Sequence, residues 1–144
     1  MTATNQRLSL LNLPSLNVDA EISATMARIV EVSGLSRIEA VERLNEAAQR
    51  YEVRLCSGSA KTLGLATFDK WLNPNAPDHM PSTRALNLFC HVFQAHEPLD
   101  ILARSHGWGW QVISNEDGKL LDLARTEREI KNLRAKKRKL EAGL

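Results

Sequence analysis

Residues 54–84 read RLCSGSAKTLGLATFDKWLNPNAPDHMPSTR, and this stretch contains the helical pattern most informative about the fold. On a helical wheel drawn from 57 to 72, largely apolar residues gather on one side and small or polar residues on the other. The apolar side holds Ala60, Leu63, Thr67, Phe68, Trp71 and Leu72. The outer side holds Gly58, Ser59, Thr62, Ala66 and Asp69, with Lys61 and Lys70 near its edges. The pattern predicts an amphipathic helix over residues 57–72.

The outer side of this predicted helix has the chemistry needed to enter the major groove of DNA. Small side chains let the backbone come close, hydroxyl groups reach base edges, and lysines contact phosphates. A plain amphipathic helix that covers a hydrophobic core would show the same pattern. The helix alone does not choose between the two interpretations.

The composition of the 144-residue chain sets bounds on its class. The length suits one compact domain, or a smaller one with an extension. A net charge of +2 is too small to indicate nucleic-acid binding, so its distribution matters more. Five basic and seven acidic residues precede residue 54, nine basic and six acidic residues lie from 115 onward, and residues 54–75 hold three basic and one acidic residue. Positive charge therefore gathers in the predicted helix and the tail, which favours DNA as a partner.

Cysteine usage and hydropathy indicate the cellular compartment. Cys56 and Cys90 lack ligand-type spacing, and Cys90 lies on an apolar helical stripe, as expected for a buried small hydrophobic residue. The sequence contains no signal peptide and no apolar run of membrane length. We therefore expect a cytoplasmic protein without a disulfide and without membrane association.

The sequence lacks the motifs of catalysis and metal binding. Its four histidines and two cysteines show no CxxC, HxxxH or HExxH spacing, and there is no glycine-rich phosphate loop with a lysine and no nucleophile elbow. Asp69 is the one acid on the outer side of the predicted helix. It would accept a hydrogen bond from a cytosine amino group, or serve instead as a cap or ion-pair partner. We expect no enzyme activity, no cofactor and no metal site.

The rest of the chain predicts an all-α fold with a five-helix head over residues 18–114. Residues 1–17 are expected to form a flexible arm before it. Asp19 begins the first helix and Gly34 ends it as a C-cap. After the fifth helix, the segment GWGWQVI at 107–113 is expected to add one short extended piece.

The other helices of the head are indicated by their first residues. Ser36 and Glu39 form a capping box for the second helix, Ser82 is an N-cap for the fourth, and Pro98 suits the first turn of the fifth. Three prolines and two asparagines over 73–81 predict an ordered loop. The residues expected on the buried sides are Ile22, Met26, Ile29, Val30, Val41, Leu44, Ala48, Tyr51, Leu86, Phe89, Cys90, Phe93, Leu99, Leu102 and Ala103.

Residues 117–144 form a different kind of segment, without proline or aromatic residues. Seam residues recur at heptad spacing among largely charged neighbours, with Leu123 as position a. These seam residues are Leu123, Thr126, Ile130, Leu133, Lys137, Leu140 and Leu144. A helix of this length is marginal in water by itself, so the seam needs a partner. Coiled-coil association between copies is our first interpretation, and a helix folded back on its own head is the second. Thr126 and Lys137 would weaken the association and set its register or strand number.

Several motifs resemble the lambda-repressor-like (XRE-type) helix-turn-helix family. The resemblance covers about residues 20–107 and implies a DNA-binding head. The turn and supporting helix of the family are resembled by Gly34-Leu35-Ser36 with Glu39, Leu44 and Asn45. The sequence LATFDKWLN at 65–73 is similar to the end of the recognition helix. The sequence PSTRAL at 81–86 matches the next helix.

A narrower resemblance concerns small DNA-binding proteins of Mu-like transposable phages and their prophages. The sequences KWLNPNAPDHMPS at 70–82 and HGW at 106–108 are similar to segments of those proteins. Such proteins are typically early-region or regulatory proteins. The resemblance therefore implies a transcription regulator in the cytoplasm of a bacterial host.

The chain departs from the helix-turn-helix pattern in one respect. The usual short turn between supporting and recognition helices is replaced by a longer stretch over 45–57. In a compact alternative, AKTLG at 60–64 is the front half of the motif, Gly64 is the turn, and residues 67–72 form a very short reading helix. That version leaves the turn about two residues short of the family pattern and ranks second. Both versions bring Lys61, Thr62, Ala66 and Lys70 close to DNA.

We therefore predict a sequence-specific DNA-binding regulatory protein of phage type, whose heads are joined into a homo-oligomer by a C-terminal coiled coil. Its expected partners are double-stranded DNA and further copies of the chain. The expected DNA contacts are Arg54, Ser59, Lys61, Thr62, Ala66, Asp69, Lys70, Asn73 and Asn75. The expected oligomer contacts are Leu123, Thr126, Ile130, Leu133, Lys137 and Leu140. The alternatives are a helical scaffold or adaptor without DNA affinity, and a nonspecific DNA-coating protein.

Overall fold

The computed structural model describes residues 14–144, and all regular structure in this range is helical. The predicted all-α class is therefore confirmed for the described residues. The chain divides into two compact units, one that ends at residue 112 and one over 113–144. The predicted arm over 1–17 lies mostly outside the described residues.

The end of the first helix and the start of the second lie where their capping residues predicted. Helix α1 (Asp19–Ser33) ends at Gly34, whose φ of 74° is left-handed and whose N–H donates to the carbonyl of Glu31. Helix α2 (Arg37–Arg50) follows a complete capping box. Ser36 Oγ accepts from the Glu39 N–H at 3.2 Å, and Glu39 Oε2 accepts from the Ser36 N–H at 3.1 Å.

The third helix is much shorter than predicted. Helix α3 (Leu65–Trp71) begins directly after Gly64, and residues 57–64 are irregular, so the prediction of one helix over 57–72 is wrong. Gly58 has a φ of 89°, which breaks a helix, and Gly64 is the extended N-cap of α3. The compact alternative comes closer because its turn is Gly64, but the residues that would form its front half are not helical.

The helical wheel nevertheless identified most of the buried side of this segment. The residues that are buried as predicted are Leu63, Phe68, Trp71 and Leu72. Ala60 and Thr67 are exposed instead, because Ala60 lies in the irregular segment and Thr67 lies on the outer side of the shortened helix. Heavy apolar residues therefore predicted burial more reliably than small or polar ones.

Helix α4 (Thr83–Phe93) and helix α5 (Glu97–Ser105) complete the head. Ser82 Oγ accepts from the Ala85 N–H at 3.2 Å and begins α4 as predicted, and Pro98 lies in the first turn of α5. In the loop before α4, Asn73 Oδ1 accepts from the Asn75 N–H at 2.9 Å.

The segment after α5 is irregular, so the extended piece predicted over 107–113 is not a strand. Asp100 of α5 holds the segment against the helix by accepting a hydrogen bond from the Val112 N–H at 2.8 Å. The same carboxylate accepts a hydrogen bond from Arg104 Nε at 2.6 Å. These two hydrogen bonds, the one from Val112 first, hold the pKa of Asp100 below its usual value. Gly107 has a φ of 70°, and a Cβ on it would lie 3.3 Å from Cβ of Pro14, so both backbone conformation and space favour glycine there.

The core of the head lies where its helices meet. Helix α2 packs against α3 and α4, while α1 packs against α4 and α5. Phe68 of α3 and Phe89 of α4 are fully buried there. Of the residues predicted to be buried, Tyr51 and Leu102 are instead exposed, at 52% and 40%. Tyr51 follows the last residue of α2 at the surface, where its hydroxyl pairs with His91 Nε2 at 3.2 Å.

The second unit is dominated by one long helix, α6 (Asn115–Ala142). It begins two residues before the predicted segment because Ser114 Oγ caps it by accepting from the Asp117 N–H at 3.0 Å. At 1.5 Å per residue its 28 residues span roughly 40 Å. None of its residues is buried, and its seam leucines are exposed.

Candidate nucleic-acid interface

Helix α3 combines a buried aromatic side with a small outer side. Phe68 and Trp71 are buried and meet edge to face with their ring centroids 6.2 Å apart. Ala66, Thr67 and Lys70 are exposed on the other side of the helix. The aromatic anchor therefore leaves a narrow outer surface on which the side chains of Ala66 and Thr67 are small, while Lys70 and the 39% exposed Leu65 lie beside them.

Asn45 of α2 fixes the main chain immediately before α3. Its Nδ2 donates to the Leu63 carbonyl at 2.9 Å, and its Oδ1 accepts from the Leu63 N–H at 2.8 Å. The amide thereby satisfies both main-chain groups of a buried residue that a longer helix would have paired internally. This contact positions Gly64, the N-cap of α3, and the exposed residues Lys61 and Thr62 just before it.

Replacing Asn45 by alanine is expected to destabilise the head by about 1–3 kcal/mol, because the main chain of buried Leu63 loses both partners. Urea unfolding measures the loss, and hydrogen exchange at the Leu63 amide measures the release of the loop. Gln49→Ala is the matched control, since Gln49 is an exposed amide one turn further along the same helix. Unchanged unfolding and unchanged exchange in Asn45→Ala would show that the two hydrogen bonds do not hold the loop.

Asp69 is engaged within the head. Its Oδ1 lies 2.7 Å from Nη1 of Arg37, in the first turn of α2, and both side chains are about half exposed. Of the roles considered for Asp69, the ion pair is the one seen, and the pair joins α2 to α3. An exposed pair of this kind contributes about 0–1 kcal/mol to stability. It also places a cation, Arg37, beside the outer side of α3, a residue that the sequence alone did not single out.

Arg54 is also used inside the head. Its Nε donates to the carbonyl of Cys56 at 2.9 Å, and its Nη2 donates to the carbonyl of Gly58. The guanidinium therefore holds the main chain of the loop before α3, although Arg54 remains exposed to solvent.

The remaining predicted DNA contacts lie on two loops that flank α3. Ser59, Lys61 and Thr62 are exposed in the loop before the helix rather than on the helix itself. Asn73 and Asn75 are exposed in the loop after it. The predicted contacts are therefore spread over a loop, a short helix and a second loop. Those before α3 would reach a ligand from the loop and not from the surface of a helix.

Neither a cluster of metal-binding side chains nor a membrane-spanning helix occurs in the described part of the chain. Among residues 14–144, no three His, Cys, Asp or Glu side chains come together as metal ligands, and no helix in that range is long and apolar enough to cross a membrane. No protein-family model, no curated protein and no solved structure matches this chain.

Proposed function

We propose that the head binds double-stranded DNA through the outer side of α3 and the loop before it, as a helix-turn-helix regulator. In this proposal α2 is the supporting helix and α3 is the reading helix. The chain acts as a sequence-specific regulatory protein of phage type, and α6 joins the heads into a homo-oligomer. The resemblance of residues 70–82 to regulatory proteins of Mu-like phages supports the phage assignment.

One observation carries the proposal: a seven-residue helix is anchored by buried Phe68 and Trp71 and presents Ala66, Thr67 and Lys70 outward. Small and hydroxyl-bearing side chains on such a helix allow close approach to base edges. Lys61, at the entry to the helix, and Lys70, at its end, would meet phosphates on either side.

A single head offers few base contacts, which makes linkage of several heads important. Specific affinity at physiological salt usually requires more contact area than one short helix provides. Joining heads through α6 raises the effective concentration of the second head at its half-site. The proposed function therefore needs both units of the chain.

Ala66→Glu tests the proposed reading side. The new carboxylate would repel phosphates and fill the space that base edges need, and we expect specific affinity to fall by about a hundredfold, or 2.7 kcal/mol. Helicity should be unchanged, because glutamate in the first turn of a helix interacts favourably with its dipole. Gel shifts are run with fragments from the genomic neighbourhood of the gene and with random DNA as competitor.

Ala24→Glu is the matched control, since Ala24 is an exposed alanine on α1. It adds the same charge away from α3 and should retain specific binding. Normal binding by Ala66→Glu would remove the proposed reading side. Equal competition by random DNA would favour a DNA-coating protein, and no DNA binding by the unaltered chain would favour a scaffold.

Lys70→Ala tests the proposed phosphate contact. We expect weaker binding to all sequences alike and a salt dependence whose logarithmic slope is smaller by about one. Arg28→Ala removes an exposed positive charge from α1 and serves as the control. If both variants change the slope equally, Lys70 contributes only to net charge.

A further inference from the structure

The exposed seam of α6 combines apolar, polar and flanking charged residues whose order distinguishes the ways in which two copies could pair. Leu123, Leu133 and Leu140 are each more than half exposed, and Ile130 is 43% exposed. Such a row of apolar side chains on an otherwise charged helix gains free energy when a second helix covers it. Its partner can be identified from the polar seam residues and from the charges beside the seam.

We propose that α6 pairs with α6 of a second copy in antiparallel orientation, with Ile130 of each helix opposite Leu133 of the other. This inference rests on the association included in the proposed function. It adds the strand number, the orientation and the register of the pairing.

The inner layers across the antiparallel seam match in polarity. When two heptad helices run in opposite directions, each a position faces a d position of the other helix. Leu123 then faces Leu140 of the second copy, and Ile130 faces Leu133. The two polar seam residues, Thr126 and Lys137, fall opposite each other, so that no leucine faces a charge in these three layers. In the outermost layer, Leu144 at the end of the helix faces Lys119.

The polar layer is compatible with a covered seam. The Thr126 hydroxyl donates to the carbonyl of Asp122 at 2.9 Å, which satisfies it within its own helix. The Lys137 ammonium lies 3.7 Å from Glu141 of its own helix. Its alkyl stem can cover the seam while the charge stays at the solvent edge.

The charges beside the seam are complementary in the same register. In antiparallel pairs, e positions flank e positions and g positions flank g positions. Glu127 meets Arg134 of the second copy at the e positions, and Glu129 meets Lys136 at the g positions. Each pairing occurs twice by symmetry, and charges at these positions set the orientation of coiled coils.

A parallel pair fits less well. Each seam residue would face its own copy, which places Lys137 against Lys137. Asp122 at a g position would also face Glu127 at the following e position, and this pair is repulsive. The parallel arrangement keeps favourable pairs such as Glu129 with Arg134, but it also contains these repulsive pairs.

Other antiparallel registers bring like charges together. A shift of one heptad in one direction places Glu127 and Glu129 opposite their own copies. A shift in the other direction does the same to Arg134 and Lys136. Among these three alignments, only the proposed one combines matched inner layers with opposite charges.

The orientation determines how far apart the heads are attached. In the proposed register, the first residues of the two α6 helices lie roughly 50 Å apart along the helix axis. A parallel pair would bring the same two ends side by side. The two attachment points would thus be farther apart than one turn of DNA, whose pitch is about 34 Å.

Disulfide trapping in the full chain tests the orientation. Thr126→Cys and Lys137→Cys are made separately in a Cys56→Ser background and studied alone and as an equal mixture in a glutathione redox buffer. Cys90 is retained because burial, with the charge of Glu97 as a smaller cause, raises the pKa of its thiol to about 11. The background chain without a new cysteine is the control, and sedimentation of the unaltered chain measures association independently.

In the proposed register, position 126 of one helix faces 137 of the other, and the two copies of either position lie roughly 16 Å apart along the axis, beyond the reach of a disulfide. The mixture should therefore form linked dimers at least ten times faster than either variant alone. Rapid linkage of Thr126→Cys with itself would overturn the antiparallel orientation. A dimer that shows no preferential linkage in the mixture would overturn the register, and a monomer in sedimentation would remove the association itself. Gel shifts report on DNA binding separately, so failure of the DNA proposal would be recognised as such.

Discussion

Replacing Phe68 by alanine is expected to lower the free energy of unfolding of the head by about 3–5 kcal/mol. Phe68 is fully buried and lies edge to face against Trp71. The seven residues of α3 are too few to form a helix without this packing. Because small domains are stable by only about 5–15 kcal/mol, the variant should unfold at a much lower urea concentration or temperature.

A second pair of variants separates burial from aromatic character. Trp71→Ala should cause a loss in the same range as Phe68→Ala, since Trp71 is only 4% exposed. Trp108→Ala is the matched control, because Trp108 is 73% exposed, and it should change stability by no more than about 0.5 kcal/mol. A loss below about 1 kcal/mol in both α3 variants would mean that α3 is not held by the core.

Ending the chain at residue 115 is expected to leave a folded, monomeric head whose DNA affinity is lower by about a factor of 10²–10⁴. The buried residues of the described chain lie between Val18 and Pro98, and α6 contributes none. Removing α6 should therefore leave the urea midpoint of the head almost unchanged. Affinity falls because unlinked heads no longer share an effective concentration. Sedimentation and gel shifts on the same samples measure the two effects.

A substitution in the full chain provides the matched comparison. Leu133→Asp places a charge in the seam, whereas Ala135→Asp places the same charge at an f position on the outside of the helix. Only the first should dissociate the oligomer and weaken DNA binding. If the unaltered and shortened chains both sediment as monomers, the seam has no second copy as its partner, and α6 needs another explanation.

The positions of most helices follow from short-range signals in the sequence. Gly34 ends α1, the Ser36–Glu39 capping box begins α2, and Ser82 begins α4, as the sequence predicts. Each signal acts within a few residues, so its effect does not depend on the rest of the fold. The same reason explains the prediction of α6, whose only correction is the additional capping turn at Ser114.

The candidate site was predicted less completely. Periodicity correctly indicated the buried residues Phe68 and Trp71, and it left Ala66 and Lys70 on the outer side. It could not show that Asp69 pairs with a residue of another helix, because an ion pair between sequence-distant residues leaves no local pattern. The pairing of Tyr51 with His91 leaves no local pattern either, since the two residues are 40 positions apart.

The all-α class, the capped ends of α1, α2 and α4, and the apolar seam of α6 follow from local patterns, because caps and periodicity act over a few residues. The start of α3 and its surroundings depend on contacts between distant segments. The helical wheel extended the helix back to Ser57, whereas the side chain of Asn45, 18 residues before Leu63, binds the main-chain N–H and C=O that a longer helix would have used. A hydrogen bond across that separation depends on how α2 and the loop pack together, and no pattern within either segment contains it.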